Sequence, residues 1–161
     1  MTHNSASVAF LATGDELIQG DLLNTNAHTM IQALQESGIA PGQQLIVGDQ
    51  QQAIKESIAY LLDRHAALII IGGLGPTCDD ITRFALADYL NTALCFDQSS
   101  WEQIQQRFAS YNMPVSDNNK QQCLFPPDAT ILTNMNGTAN GAIIEHQNKT
   151  LFLLPGPPTE C

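Results

Sequence analysis

The chain has 161 residues, 43% of them hydrophobic, which fits one globular domain and leaves little room for two. Charged residues make up 14%, well under the roughly 25% of an average domain, and six Lys and Arg face sixteen Asp and Glu for a formal net charge of −10. Six scattered cations cannot build a phosphate-tracking stripe or grip an anionic bilayer, so neither a nucleic-acid partner nor a membrane partner is expected.

Amides supply the missing polarity, with 15 Gln and 11 Asn. The longest apolar run, residues 66–71, is far short of the ~20 residues that cross a bilayer. Residues 1–7 lack a basic start and a cleavage-like region, so no signal peptide is expected. Cys78, Cys95, Cys123 and Cys161 are widely spaced without a CxxC pair. They read as reduced thiols of a cytoplasmic protein, not as a disulfide framework or a zinc site. The four histidines, His3 among them, are dispersed and receive no role.

Residues 7–13 form a continuous apolar run that stops at Gly14-Asp15, the pattern of a buried strand entering a loop. Ala27, Met30, Ile31 and Leu34 follow at helical spacing, with Asn24 or Thr25 as N-cap and Gly38 as stop. Residues 44–47 read as a short strand before Gly48-Asp49, itself a turn and cap. Ile54, Ile58, Leu61 and Leu62 mark a second helix with Arg64 at its C-terminal dipole. Ala67–Ile71 is the clearest strand and runs straight into Gly72-Gly73.

Residues 80–90 are expected as a third helix, 94–96 as a short strand, and 98–111 as a fourth helix. Trp101, Ile104, Phe108 and Tyr111 are in register on that helix, and its aromatics read as core. Residues 112–128, rich in amides and proline, are expected to be an ordered loop. Residues 130–132, 142–145 and 151–154 are strand-like, and Gln147-Asn148-Lys149 joins the last two as a hairpin. The alternation predicts an α/β fold: a doubly wound, mostly parallel sheet covered on both faces, made mixed by an antiparallel edge hairpin. Residues 1–161 read as a single domain.

In such a sheet, ligands sit beyond the carboxyl ends of the strands where strand order reverses, and the unusual clusters fall there. Residues 72–82 hold Gly72, Gly73, Gly75, Thr77, Asp79, Asp80 and Thr82 between a strand and a helix. Three glycines let backbone N–H groups converge, and the helix start adds positive potential, which suits a phosphate. No Lys-Ser/Thr follows as in a Walker loop, and the spacing is not GxGxxG. Taken singly, an Asp here reads as a helix cap and a glycine pair as a turn.

A second cluster runs from Thr13 through Asp15 and Glu16 to Gly20 and residues 24–26, suiting ribose, metal or phosphate, or else a solvated turn and cap. Residues 134–141 form another glycine-bearing loop, and Pro155-Gly-Pro-Pro158 reads as a stiff stop. Only Arg83 and Lys120 are cations beside these clusters. An acidic protein that binds phosphate needs backbone N–H groups, a helix end, or a Mg²⁺-like ion held jointly by carboxylates and the substrate's phosphates.

The segments TGDELIQGDLLNTNA (13–27), VGD (47–49), GGLGPTCDDIT (72–82), NNKQ (118–121), NGTANG (136–141) and LPGPP (154–158) occur in the order of the CinA family's N-terminal domain, which this chain resembles. That domain lies within the MoaB/MogA-like molybdopterin-binding superfamily. The resemblance implies a three-layer α/β fold, a homo-oligomer (dimer or trimer), and a pocket for a small-molecule nucleotide or pterin. CinA-type domains are associated with metal-dependent hydrolysis of the pyrophosphate in ADP-ribose, giving AMP and ribose 5-phosphate. On that basis Asp79 and Asp80 are expected as catalytic residues and as ligands of a divalent metal ion of the Mg, Mn or Co class. Gly72, Gly73, Gly75, Thr77, Thr82, Asp15, Glu16, Asn26 and Thr138 would bind substrate.

The MoaB/MogA relatives bind and adenylylate molybdopterin, which makes molybdopterin the ligand under one alternative. A non-catalytic oligomeric binding module is the other. Three positions depart from the family pattern and favour that last reading: Phe84 after Arg83 where an acid is common, Asn140 where GTAPG has proline, and Thr159 where a base follows PGPP. The nicotinamide-nucleotide amidase domain of full-length CinA proteins is expected to be absent from these residues.

Overall fold

The apolar runs and amphipathic stripes fold in chain order as β1 (Val8–Thr13), α1 (Asp15–Gln19), α2 (Thr25–Glu36), β2 (Pro41–Val47), α3 (Gln51–Arg64), β3 (Ala67–Ile71), α4 (Thr82–Leu90), β4 (Cys95–Phe96) and α5 (Gln98–Ser110). A 3-10 helix (Asp117–Cys123), β5 (Leu124–Phe125), β6 (Thr130–Leu132), β7 (Gly141–His146) and β8 (Lys149–Leu154) complete the chain. This computed structural model describes residues 7–161. His3 and the terminal stretch on which the signal-peptide reading rests lie outside the described residues.

Six strands form one sheet in the order β2-β1-β3-β8-β7-β6, while β4 and β5 pair separately. Strands β2, β1, β3 and β8 run parallel, and β8–β7 and β7–β6 are antiparallel. The mixed sheet is the one expected. One arm of the hairpin, β8, lies inside the sheet against β3, and β6 is the edge. Gln147 and Asn148 turn that hairpin with φ of 49° and 61°, the left-handed pair that a two-residue connection with matching twist requires.

Because side chains alternate across a strand, each buried strand feeds two cores. Leu11, Leu68, Ile70, Leu151 and Leu153 meet Ile54, Ile58, Leu61 and Leu62 of α3 and Ala85 and Leu86 of α4. Phe10, Ile69 and Ile71 face the opposite way onto Ala27, Met30, Ile31 and Leu34 of α2. Helices therefore cover both faces, in three layers. The four-residue stripe of α3 is at most 2% exposed, and each such side chain contributes roughly 1.5–3 kcal/mol of burial.

Several boundaries differ from expectation. Strand β2 begins at Pro41, tolerated because β2 is an edge strand. Helix α4 begins at Thr82, since Asp80 is engaged elsewhere. The stretch 112–128 is not all loop but holds the 3-10 helix and β5. On α5 only Ile104 of the expected stripe is buried; Tyr111 is 64% exposed.

Candidate functional site

Strand order reverses between β1 and β3, where α2 crosses one face of the sheet and α3 the other. The loops leaving β1, β3 and β8 diverge there and enclose a cleft of about 870 Å³. Its position follows from topology, because no connection covers the carboxyl ends at a switch point.

Gly72 and Gly73 have φ of 103° and 65°, in the left-handed half of the map. A Cβ at Gly72 would lie 2.6 Å from the Thr13 carbonyl oxygen, and one at Gly73 would overlap the Thr82 hydroxyl. The pair therefore lets the loop press onto Thr13 and Thr82, whose hydroxyls lie 3.0 Å apart in a buried contact. Gly72, Gly73 and Gly75 line the cleft; Thr82, fully buried, does not.

Asp80 lines the cleft and closes a turn, its Oδ2 accepting from the Thr77 N–H at 2.9 Å and the Thr77 hydroxyl at 2.6 Å. The cap position of α4 is Ile81, without a side-chain bond. Thr77 and Asp79 are exposed and do not line the cleft, so adjacent Asp79 and Asp80 face different surroundings.

After β1, Asp15 and Asp49 cap each other: each carboxylate accepts the other's backbone N–H, at 3.1 and 3.2 Å. Burial, with the nearby charges of Asp15, Glu16 and Asp79 adding to it, raises the Asp49 carboxyl above the usual carboxylate range, against the lowering effect of the Asp15 N–H. Asp15 lies outside the cleft lining, whereas Glu16 and Asn26 belong to it. Asn26 Nδ2 donates to the Gly156 carbonyl at 2.7 Å and ties the first loop to the last. Asn24 is the N-cap of α2, accepting from the Ala27 N–H at 3.3 Å.

Thr138 lines the cleft. Beside it are Gln122 and Glu160, not expected as site residues, and the whole Pro155–Pro158 turn, which reads in the sequence as a stop and only as part of a family motif. Gln121 and Gln122, at the end of the 3-10 helix, pin the glycine loop. Gln121 Nε2 donates to the Gly75 and Thr77 carbonyls, both at 2.8 Å. Gln122 Nε2 donates to the Thr138 hydroxyl at 3.1 Å and the Leu74 carbonyl at 3.5 Å. Gln121 closes the NNKQ motif, whereas the only sequence signal for Gln122 is the amide-rich stretch itself.

Four carboxylates line the cleft, those of Glu16, Asp21, Asp80 and Glu160, and no Lys, Arg or His joins them. Every cation of the chain is committed elsewhere. Lys55, Arg64 and Lys120 pair with Asp88, Asp63 and Asp117. Lys149 donates to the Leu62 and His65 carbonyls, and Arg107 to those of Met135 and Asn136. Arg83 is 2% exposed behind the cleft wall, donating to the Leu74 carbonyl at 2.6 Å and the Asn140 carbonyl at 3.2 Å. Burial pushes its guanidinium down to about 10, with Asp80 and Cys123 opposing, so it keeps its charge at neutral pH.

Among the described residues, no three His, Cys, Asp or Glu side chains stand close enough to cage a metal. The donor set instead fits a Mg²⁺-type ion that takes one or two carboxylates and fills its remaining positions with water and substrate phosphate. Asp80 can supply one ligand, since both of its hydrogen bonds go to Oδ2 and leave Oδ1.

The model described as "Probable molybdopterin binding domain" matches residues 9–161. The chain belongs to that family. It is a CinA-type member. A relative from Clostridium acetobutylicum, named as a competence-damage inducible protein, is 40% identical over 153 residues, which is 95% of this chain and 37% of the relative. The chain thus spans a little over a third of the length of the curated relatives it matches. The crystal structure of CinA from Thermoplasma acidophilum superposes with a TM-score of 0.89 at 26% identity, covering 98% of this chain and 92% of that one. MoaB from Thermus thermophilus shares the fold at TM-score 0.62 and 16% identity, over 96% and 84% of the two chains.

One departure from the CinA pattern has a local structural account. Asn140 is 3% exposed, donates from Nδ2 to Ser100 Oγ and Gln103 Oε1, both at 2.9 Å, and accepts the Asn134 N–H at 2.8 Å. Three bonds thus hold the loop at this position. Thr159 is exposed and meets Asn136 Nδ2 only through its backbone carbonyl, at 2.8 Å, which any residue would supply, so the structure does not explain it. Nothing in the structure explains Phe84. No helix among the described residues is long and apolar enough to cross a membrane.

Proposed function

We propose that this domain hydrolyses the pyrophosphate bond of ADP-ribose-like nucleotides, assisted by a divalent cation that enters with the substrate's phosphates. One observation carries the reading: the cleft combines a glycine loop with four carboxylates and no cationic side chain. A pyrophosphate carries two or more negative charges and would be repelled by that lining unless complexed. When bound, a divalent ion supplies neutralisation of charge on the phosphoryl oxygens.

The chain's own residues do the rest. The loop over Gly72, Gly73 and Gly75 lets phosphate approach the backbone closely, and Asp80 anchors the cation while holding the turn through Thr77. Glu16 borders the cleft on the β1 side and is suited to take a proton from the attacking water. Asn26 steadies the Gly156 turn, against which the sugar would lie. Asp79 remains an outer acid in this scheme, able to reach a cation through water.

A second reading, binding and adenylylation of a molybdopterin, draws support from the family description. We also propose that the domain assembles as a homo-oligomer through Ile18, Leu22 and Leu23, which are 59%, 58% and 82% exposed, the last two on the cleft lining. Incubation with ADP-ribose, with and without Mg²⁺, Mn²⁺ or Co²⁺, tests the hydrolase: AMP release is expected only with metal. No AMP under any metal removes the hydrolase reading, and tight pterin binding without turnover favours the second. Light scattering on the eluted protein reads the oligomer.

A further inference from the structure

Buried polar atoms are almost always paired, so the exceptions are informative. Among the described residues three buried side-chain atoms lack a partner: Asn24 Nδ2, Arg83 Nε and Gln122 Oε1. Asn24 and Gln122 line the cleft, and Arg83 donates to Leu74, which lines it too. Gln122 is the sharpest case, because it is 1% exposed at the base of the far wall.

The orientation of its amide is decided by its neighbours. The Leu74 carbonyl accepts from Nε2, and a flipped amide would set Oε1 against that carbonyl. Oε1 is therefore the atom left over. The Thr138 hydroxyl already accepts from Nε2, so its own hydrogen is free to donate. Phosphate oxygens are acceptors only and cannot satisfy Gln122 Oε1. The missing partner is an N–H or O–H donor. Leu74 and Ala139, core residues that border the cleft, make the surroundings of this atom apolar, which favours a flat heteroaromatic ring over a hydrated sugar.

We propose that Gln122 reads the base: its carboxamide oxygen accepts from the exocyclic amine of an amino-substituted purine or pteridine ring lodged against Leu74 and Ala139. The phosphates then extend along the same loop toward Gly75 and Asp80. The assignment rests on the reading of the cleft as a nucleotide or pterin site, and it holds whether or not ADP-ribose is hydrolysed.

Two ligand pairs that differ only by the amine test it by calorimetry on the intact protein with Mg²⁺ present. One pair is AMP and purine riboside 5′-monophosphate; the other is pterin and 4-hydroxypteridine. In at least one pair the amine should tighten binding about tenfold or more, because its loss leaves a buried acceptor unpaired. Gln122→Met should reduce that preference below about threefold, a ratio within each pair that stays readable even where release of Leu74 and Thr138 weakens both ligands together. Equal binding within both pairs, or no binding of any of the four, overturns the proposal and leaves Oε1 to a buried water. So does a preference that survives in Gln122→Met. The wild-type comparison needs no variant, so a misfolded variant does not shield the idea. An amine preference without AMP release from ADP-ribose would sink the hydrolase and spare Gln122; turnover without the preference would do the reverse.

Discussion

At the amino ends of β1, β3 and β8, polar groups close on one another. Ser7 Oγ lies 2.7 Å from His65 Nδ1, and Lys149 Nζ donates to the Leu62 and His65 carbonyls at 2.6 and 2.8 Å. A cation thus sits at the C-terminus of α3, where the helix dipole favours one. At the carboxyl ends of the same strands the pattern inverts. Four carboxylates gather without a cation, and the three orphaned polar atoms all lie in or directly behind the cleft wall. An end whose hydrogen bonds are complete contributes stability, while an end with open valences holds its polar atoms ready for a ligand.

Substitutions at the two ends should therefore separate binding from stability. The largest effect is expected at Asp80. Asp80→Asn keeps an acceptor for Thr77 but removes the charge, and should lower AMP release from ADP-ribose by about two orders of magnitude, equivalent to about 2.7 kcal/mol of barrier. Asp79→Asn, outside the lining, should change it by less than about threefold. Equal losses in both variants would show that the exposed acid acts directly.

Next comes Lys149→Met, which strands two carbonyls at the end of α3. A cost of about 2 kcal/mol is expected, read as a Tm lower by roughly 5 °C with ligand affinity at 25 °C unchanged. Weakened binding at constant Tm would erase the contrast between the two ends.

Asn140→Ala tests whether the far wall is held as firmly as its three bonds imply. It should cost about 1–2 kcal/mol in urea unfolding and loosen the Thr138 wall, weakening ligand binding in parallel. Stability lost with affinity intact would confine Asn140 to the fold.

The smallest effect is a pH dependence at the closed end. Burial, then the charges of Lys149 and Arg64, hold His65 below its usual 6.5. The unfolded chain therefore binds the proton more readily. The stability contribution is complete above pH 6.5 and is lost as pH falls from there through the folded value. The urea midpoint of the wild type should drop more between pH 7 and pH 5.5 than that of His65→Gln; parallel curves would remove His65 from the account.

Much of this architecture is legible in the sequence because uninterrupted runs such as Ala67–Ile71 belong to strands buried on both faces, and glycines directly after them mark the ligand end. The position of β8 is not legible. Residues 149–154 carry no sign that they pair with β3, more than 80 positions earlier, so the Pro155–Pro158 turn reads as a stop when it is a cleft wall. Gln122 hides for another reason: a 3-10 helix built from Asp117–Cys123 shows no apolar period, and a buried amide looks like a surface one until its neighbours are known. Asp80 shows the limit of reading by residue type, since an Asp near a helix start serves a cap or a preceding turn equally well.

The commitment of all six cations to structural contacts also governs how a ligand arrives. With a net charge of −10 and an acid-lined mouth, a bare phosphate ester approaches against a repulsive field. That field reaches about 30 Å at 0.01 M salt and about 8 Å at physiological ionic strength. Association of an uncomplexed nucleotide thus quickens as salt is added, the reverse of ordinary electrostatic steering. Under the proposed function, a nucleotide already neutralised by its cation would feel little of this, so the domain would sort its visitors by charge state during diffusion, before any side chain has touched them.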